Sequence, residues 1–412
     1  MRVLYVVGSC LTKNTSANMS HNAFVEGLLE NGCEVDIIMP KDSWGQQDSK
    51  LPVWNQAQYY CYPSTSFRDW LRVRARNLIP AERPKGTTEK RDIGKPTTYQ
   101  SSKKAVLRSW MKKIFYFIFP NDPCYPLSRT WLKKALHFYS KAEYDLVLSN
   151  SSPAASHKLV QLLLEKKKIS CKRWIQIWED PWYADVYDQR NPEIFQEERQ
   201  LLNAASEVYY VSPLTLEYQK QLFPDCAGKM KHIPLPYLEF AKDSNVESGR
   251  SFGYFGDYYS HTRNLIPFYE ALRQSGCCGY IYGDSDLNLS STEQIEVRGR
   301  VTLDVLEKIQ AQTGILVHLC NLKGGQIPGK IYHYSATDKP ILFILDGTDD
   351  ERRKIKNYFS QFHRYYFVEN QKDSIYAAIE NIQRDYDRFV GKRVKSFEPK
   401  YVIACLLSEK IK

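Results

Sequence analysis

Two cations in the second half of the chain have the surroundings expected of a phosphate site. Arg263 lies in the loop 257–263, and Lys330 lies within the stretch 324–346, GGQIPGKIYHYSATDKPILFILD. Each follows a predicted strand, and the carboxyl ends of parallel strands meet at one edge of a sheet. We therefore expect both side chains to face the same cleft. Two cations beside helix N-termini suit a diphosphate, which they would also stabilise as it leaves a substrate.

The stretch 324–346 is predicted to form a loop, a short helix and a buried strand. Gly324 and Gly325 permit a backbone turn that a side chain would hinder. Pro328 suits the first position of a helix, because its missing N–H would be unpaired there. The continuous apolar run 341–345 is typical of a parallel strand that is covered on both faces. An ordinary loop–helix–strand unit without a ligand site is the alternative interpretation.

Two adjacent carboxylates follow the predicted strand 174–178. Glu179 and Asp180 come directly after WIQIW, at the strand end where ligands bind in parallel α/β sheets. A carboxylate pair at such a position is a candidate for general acid–base or electrostatic catalysis. The alternative is structural, because Asp180 followed by Pro181 would also suit the start of a helix.

The composition favours a protein of two domains without disulfide or zinc chemistry. The chain has 412 residues, of which 43% are hydrophobic, enough to bury substantial cores. Its ten cysteines include one adjacent pair, Cys277 and Cys278, and no Cys/His cluster has zinc-site spacing. We therefore expect reduced thiols in a cytosolic protein.

The short apolar run at residues 3–7 is predicted as a strand rather than a signal peptide, and no stretch approaches a membrane span of about 20 residues.

One region accounts for the basic character of the chain. The net charge is +10, yet residues 67–141 contain 18 Lys/Arg against 5 Asp/Glu, which is +13 and leaves about −3 for the rest. Within this region, segment 105–119 has apolar and basic residues on opposite helical faces, and a second basic amphipathic segment follows at 131–141. Such helices with aromatic residues bind anionic membranes, so residues 103–141 could contact the inner membrane surface. The alternative is that the apolar faces of these helices pack on their own domain and the basic residues face solvent. Nucleic-acid binding is a third interpretation, but no recognised motif supports it.

Outside the basic region, the sequence alternates predicted strands and helices in two halves. It opens with the strand 3–7, a polar loop, a helix at 21–30 and a strand at 35–39. Residues 41–104 lack periodicity and are predicted to be an insertion. The loop 149–153 follows one of the later strands. Further strands are predicted at 145–148, 174–178, 207–211, 251–256, 280–283 and 315–319, and helices at 154–166, 193–204, 212–223, 264–274, 372–386 and 401–411.

Four segments together resemble a known family. They are VLYVVGS with HNAFVEGLLENGCEVDIIMP, then YFGDYYSHTRNLIPFYEAL, VRGRVTLDVLEKIQ and IPGKIYHYSATDKPIL. They resemble GT-B-fold glycosyltransferases of the retaining family-four type, which act in bacterial capsule, exopolysaccharide and lipopolysaccharide synthesis. The resemblance covers nearly the whole chain except about 41–143. It implies two Rossmann-like parallel-sheet domains facing a cleft, at 1–240 and 250–390, with the helix 391–412 crossing back to the first domain.

The resemblance also implies roles for individual residues. The catalytic candidates are Glu179, Asp180, Arg263 and Lys330. The donor, a UDP- or GDP-sugar that serves as co-substrate, would meet Gly8, Asn14, Ser16, Gly256, Arg263, Arg300, Val301, Gly325, Gln326, Lys330, His333 and Tyr334. The acceptor, a glycan or lipid-linked molecule, would meet His21, Asn150, Ser151 and Ser152. No metal and no bound cofactor are expected, and the enzyme would act in the cytoplasm or at the inner face of the membrane.

Two other functions fit the same fold. His333 occupies the position of the family's glutamate, which permits a non-catalytic module that binds nucleotides, carbohydrate or membrane. A sugar-nucleotide epimerase is the second alternative, although Glu179, Asp180 and His333 are few groups for that chemistry. Product formation without an acceptor would distinguish the epimerase, and nucleotide binding without turnover would distinguish the module.

Overall fold

Two parallel β-sheets flanked by helices make up the molecule. The computed structural model describes residues 1–13, 15–41, 48, 50–65, 124–185, 191–238 and 250–408. The strands of the first sheet fall within residues 2–232, and those of the second within 252–369. The regular alternation of strand and helix produces this arrangement, because parallel strands require a crossover connection that covers a face of the sheet.

The first sheet has seven parallel strands among the described residues, in the order β3-β2-β1-β4-β5-β6-β7. These are β1 (Arg2–Val7), β2 (Glu34–Lys41), β3 (Gln58–Pro63), β4 (Leu146–Asn150), β5 (Trp174–Trp178), β6 (Glu207–Tyr210) and β7 (Met230–His232). The helices of this half are α1 (Ser16–Glu30), α2 (Arg129–Ala135), α3 (Ala155–Glu165), α4 (Pro192–Ala204) and α5 (Pro213–Leu222).

The second sheet has six parallel strands among the described residues, in the order β10-β9-β8-β11-β12-β13. They are β8 (Phe252–Phe255), β9 (Gly279–Tyr282), β10 (Ile295–Arg298), β11 (Ile315–Leu319), β12 (Ile341–Leu345) and β13 (Tyr366–Glu369). The helices that follow the first half are α6 (Ile266–Ser275), α7 (Leu303–Gln312), α8 (Lys330–Tyr334), α9 (Asp349–Ser360), α10 (Lys372–Arg384), α11 (Tyr386–Phe389) and α12 (Pro399–Ser408).

The last helix returns to the first half of the chain, as predicted. The backbone of Pro399 lies against Gly27 of α1, where an added Cβ would be 2.3 Å from the Pro399 carbonyl oxygen. Asn31 at the end of α1 donates from Nδ2 to the Lys400 carbonyl over 3.0 Å. Arg173 donates from Nη1 to the Leu406 carbonyl over 2.9 Å, which satisfies an open carbonyl of the last helical turn.

Several predicted boundaries are wrong in the first half. The helix predicted at 21–30 begins five residues earlier at Ser16, because the Thr15 side chain accepts a hydrogen bond from the Asn18 backbone and caps it. Strand β3 lies within the predicted insertion and pairs with β2 at the sheet edge. Strand β4 extends through Asn150, which was predicted to be in a loop. In the second half, α9 and β13 were not predicted, and α8 begins at Lys330 rather than at Pro328.

The described part of the basic region packs inward. Trp131, Leu132, Ala135 and Phe138 are buried in one core cluster with β1 residues such as Leu4. The apolar stripe of the predicted segment 131–141 therefore belongs to the core of the first half. The predicted helix 105–119 lies outside the described residues. Among the helices that the structure describes, none is long and apolar enough to cross a bilayer.

We expect Gly27→Ala to lower the free energy of unfolding by about 2–3 kcal/mol, because the new methyl group would overlap the Pro399 carbonyl and the Ile403 side chain. Urea unfolding measures the effect. Gly228→Ala is the matched control, since its added Cβ would have no atom within 4 Å. Equal stability of the two variants would show that α12 does not pack this closely on α1.

Candidate active site

The carboxyl ends of the two sheets face each other and are joined by hydrogen bonds. Gln326, after β11, donates from Nε2 to Asp180 Oδ1, after β5, over 2.6 Å. Ser212 donates from Oγ to the Gly325 carbonyl over 2.6 Å. The hydroxyl of Tyr332 on α8 donates to the Val211 carbonyl over 3.1 Å. The loops that carry the predicted site residues of both halves therefore meet along one edge.

The glycine turn of the second half approaches the first half closely. Gly324 and Gly325 have φ values of +94° and +68°, in the left-handed region that favours glycine. A Cβ on Gly325 would lie 2.8 Å from the Cβ of Leu214 and 3.0 Å from the ring of Tyr218 on α5. The predicted turn is confirmed, and its glycines also allow the following loop to lie against the first half.

Arg263 is held at the edge of the second sheet by two acceptors. Its Nε donates to Asn321 Oδ1 over 2.7 Å, and its Nη1 donates to the Asp257 carbonyl over 2.9 Å. Asn321 in turn donates from Nδ2 to the Gln326 carbonyl over 3.1 Å. The loops after β8 and β11 thus fix the direction of the guanidinium.

Three cations of the second half, Arg263, Arg300 and Lys330, lie around Asp257. Arg300 donates to it from Nε over 2.9 Å and makes a second, shorter contact from Nη2. Burial acts to raise the pKa of Asp257, but the hydrogen bond from Arg300 and the charge of Arg263 bring it below its ordinary value. Lys330 is close enough for the Asp257 charge to act on its own pKa. Asp284 Oδ2 lies 3.5 Å from Arg300 Nε, so two carboxylates stand against these three positive side chains.

Lys330 and His333 on α8 are the two polar side chains of this helix that bear on the site, and the His333 ring has no hydrogen-bond partner within the described ranges. Burial lowers the pKa of Lys330 to about 8, while Asp257 acts in the opposite direction. Both ring nitrogens of His333 are buried and unpaired. Burial and the neighbouring Lys330 lower the pKa of His333 to about 3, so its ring is neutral at pH 7. Residues three apart on a helix share a face, and unpaired buried polar groups cost free energy that a ligand could recover.

The two predicted carboxylates of the first half have different partners. Asp180 faces the neutral amide of Gln326, and burial raises its pKa to about 6. Glu179 faces a ring, with its Oε1 2.9 Å from His21 Nε2. No helix begins at Pro181, and α4 starts only at Pro192, so the structural alternative of an N-cap at Asp180 is wrong. Both carboxylates lie at the edge where Gln326 crosses from the second half.

Other predicted donor residues are distributed along both edges. Gly8 ends β1, and a Cβ there would lie 2.7 Å from the Pro153 ring. Ser16 is exposed at the start of α1, with its Oγ near Gly329 of the second half. Gly256 and Val301 follow β8 and β10. Asn14 lies outside the described residues.

Tyr334 and the predicted acceptor residues differ in accessibility. Tyr334 is buried, and its hydroxyl donates to the Phe255 carbonyl over 3.4 Å, so it supports the end of β8. Asn150 is buried and donates from Nδ2 to the Tyr5 hydroxyl over 3.1 Å. Ser151 is buried with its Oγ unpaired, whereas Ser152 is exposed.

Sequence analysis missed Asp257 and Asn321, which orient Arg263. Their positions directly or nearly directly after β8 and β11 were the available signal, because polar residues at such strand ends line ligand sites. Within the described part of the chain, no group of three or more His, Cys, Asp or Glu side chains is arranged to hold a metal ion.

The fold is that of GT-B glycosyltransferases, as predicted. The catalytic domain of starch synthase IV from Arabidopsis thaliana, bound to ADP and acarbose, is similar with a TM-score of 0.60 and 10% identity, covering 99% of this chain and 95% of that one. An E. coli trehalose-6-phosphate structure bound with UDP-2-fluoro glucose has a TM-score of 0.55 and 10% identity, covering 99% and 98%. An alpha-glucosyltransferase in complex with UDP and a 13-mer DNA has a TM-score of 0.52 and 12% identity, covering 98% and 95%. No protein-family model matches the chain, and no curated protein sequence matches it.

We expect Asp180→Asn to change how stability depends on pH. Burial raises the pKa of Asp180 from 3.8 to about 6, so the folded state binds this proton more tightly than the unfolded state. Stability from this group is therefore lost as pH rises from about 4 to 6, by up to about 3 kcal/mol. The variant should lose less unfolding free energy between pH 4 and pH 8 than the wild type in urea titrations.

The exposed Asp338 supplies the control for this measurement, as Asp338→Asn. If Asp180→Asn and Asp338→Asn both follow the pH dependence of the wild type, Asp180 is not buried as the structure describes.

Proposed function

We propose that this chain is a glycosyltransferase that moves a sugar from a nucleotide-diphosphate donor to a glycan or a lipid-linked acceptor. The observation that carries the proposal is the set of three cations around Asp257, located across a GT-B edge from Glu179 and Asp180. A diphosphate would offset the positive charge that remains after Asp257 and Asp284 are counted. The similar structures, at about 10% identity, support the fold alone. The chemistry of the site residues supports the reaction.

On the donor side, Arg263 and Lys330 neutralise the diphosphate as it leaves. The resemblance described above places the nucleobase at the turn Arg300–Val301 and the ribose or sugar at His333. The similar structures hold UDP, UDP-2-fluoro glucose or ADP. The family resemblance favours a UDP- or GDP-sugar, and ADP is included in the test because one similar structure holds it.

On the acceptor side, Asp180 contacts the second half through Gln326, and Glu179 precedes it on the same loop. The exposed Ser152 extends this surface. The proposed acceptor hydroxyl binds here, opposite the donor cations. The family resemblance adds retention of configuration without a metal ion, a role in cell-surface polysaccharide synthesis, and action in the cytoplasm at the inner membrane face, with contact through residues 103–141.

A non-catalytic nucleotide-binding module is the second candidate, and one observation favours it. His333 replaces the acidic residue of the family with a ring that is neutral at pH 7. Such a ring accepts or donates one hydrogen bond at each nitrogen but supplies no negative charge. Nucleotide binding without transfer or hydrolysis of the matching nucleotide sugar would support this candidate.

We expect calorimetry with UDP, GDP, ADP and CDP to find micromolar binding of one nucleotide. Arg263→Ala should weaken that binding about 30-fold or more, since a hydrogen bond to a charged group contributes about 2 kcal/mol. Arg273→Ala is the control, because this exposed arginine lies on α6 of the same half. Absence of binding by all four nucleotides would overturn the transferase proposal.

We expect nucleotide affinity to fall as pH rises above about 8. Burial lowers the pKa of Lys330 to about 8, so the lysine loses its positive charge in this range and attracts the diphosphate less. The loss between pH 7 and pH 9.5 should be about tenfold by calorimetry. Lys330→Arg stays charged and should abolish the decline. Parallel pH curves for the wild type and Lys330→Arg would exclude Lys330 from the diphosphate site.

A further inference from the structure

A line of polar contacts connects the first turn of α1 to Glu179. Asn18 Oδ1 lies 2.5 Å from Ser9 Oγ, and Ser9 Oγ lies 3.2 Å from His21 Nδ1. His21 Nε2 lies 2.9 Å from Glu179 Oε1. Asn18 and the His21 side chain are buried, whereas Glu179 keeps 10% of its side chain exposed. The line therefore runs from the core to the carboxylate at the domain edge.

The direction of each hydrogen bond follows from the first residue of the line. Asn18 donates both hydrogens of Nδ2, to the Cys10 and Lys13 carbonyls, each over 2.8 Å. Its Oδ1 therefore accepts, and Ser9 must use its only hydroxyl hydrogen to donate to it. Ser9 Oγ can then only accept from His21. Nδ1 of His21 consequently carries a hydrogen.

The other ring nitrogen of His21 faces acceptors alone. Nε2 lies near Glu179 Oε1 and 3.4 Å from the Ser151 carbonyl oxygen. A carbonyl oxygen can only accept, so Nε2 donates to Ser151 and also carries a hydrogen, whereas Glu179 Oε1 is near but accepts no hydrogen bond from the described residues. His21 is then an imidazolium paired with a carboxylate, the state in which a buried charge is tolerated.

We propose that His21 is a positioning residue whose ring, with a hydrogen on each nitrogen, holds Glu179 in place as the hydrogen-bond acceptor for a hydroxyl group of the acceptor substrate. The inference rests on the proposed function for its substrate. It separates the roles of two adjacent carboxylates: Glu179 lies beside the His21 ring, and Asp180 accepts from the neutral amide of Gln326. Glu179 Oε1 is buried and accepts no hydrogen bond from the described residues, so its lone pairs are open to a ligand.

Other ionisable groups near the pair are few within the described ranges. Tyr5 on β1 and Asp180 on the same loop feel the charge of Glu179. Asp180 also feels Asp185 and, from the second half, Arg263. Tyr5 is neutral at pH 7 because burial raises its pKa well above the ordinary value. Removal of the His21 charge would therefore leave Glu179 beside another carboxyl group and without its adjacent cation.

The number of protons on the His21 ring tests the pair without any substrate. In long-range ¹H–¹⁵N spectra of the full chain at pH 7.5, we expect both ring nitrogens of His21 to be protonated; His21→Gln identifies the signals. His157 gives the neutral reference, since burial lowers its pKa to about 3. A deprotonated Nε2 in the wild type would overturn the proposal.

Ser9→Ala removes the hydrogen-bond acceptor of His21 Nδ1, so the ring no longer needs a proton on that nitrogen. The neutral ring can then donate from Nε2 to the Ser151 carbonyl, so we expect only one ring nitrogen of His21 to be protonated at pH 7.5 in this variant. Two protonated ring nitrogens in Ser9→Ala would overturn the assigned hydrogen-bond directions, which require Ser9 to accept from His21.

Turnover of UDP-glucose and GDP-mannose with water as acceptor tests the substrate contact. We expect Glu179→Gln and His21→Leu to lower kcat at least about tenfold and leave the nucleotide Kd from calorimetry unchanged. His21→Gln, whose amide can still donate to Glu179, should recover part of the loss. Full activity of Glu179→Gln would overturn the substrate contact. If no nucleotide binds and no sugar is released by the wild type, the proposed function and this contact both fail, while the spectra still decide the proton count.

Discussion

The donor side of the cleft depends on one carboxylate. Asp257 lies among Arg263, Arg300 and Lys330, and like charges this close repel one another strongly when solvent is partly excluded. The carboxylate relieves part of this repulsion and orients Arg300 by two contacts. Asp284 lies 3.5 Å from Arg300 as well, so two carboxylates stand against three cations. The remaining positive charge makes an anion the ligand that completes the site in electrostatic terms.

The buried strands were predictable from sequence because one property, a continuous run of mainly apolar residues, marks them. Strands β5, β11 and β12 are apolar runs covered on both faces, and their predicted bounds agree with the structure. Strand β3 was not predictable in the same way. Its sequence, QYYCYP, is only half-buried at the sheet edge, so neither a continuous run nor a clean alternation marks it. Edge strands show a weaker hydrophobic pattern in the sequence because fewer of their side chains are buried.

The start of α1 and the orientation of Arg263 show a second limit. Residues 16–20 are mainly polar, yet they are helical because Thr15 caps them and because Asn18 bonds to the carbonyls of the preceding loop. Arg263 was predictable as a cation after a strand, whereas Asn321, 58 residues away, fixes its direction. Such long-range partners have no local signature. Sequence therefore indicates which residues reach the cleft, and the packing of distant loops determines how they point.

The contact between Gly27 and Pro399 has a consequence for the order in which the protein is made. Val402, Ile403 and Leu406 belong to the same core cluster as Val3 and other residues of the first sheet. The ribosome delivers them after all described strands of both sheets. Domains generally fold as units during synthesis, starting from the N-terminus. Here the N-terminal half must wait with part of its core open until the helix Pro399–Ser408 has been synthesised, so its folding is completed only after the second half has emerged.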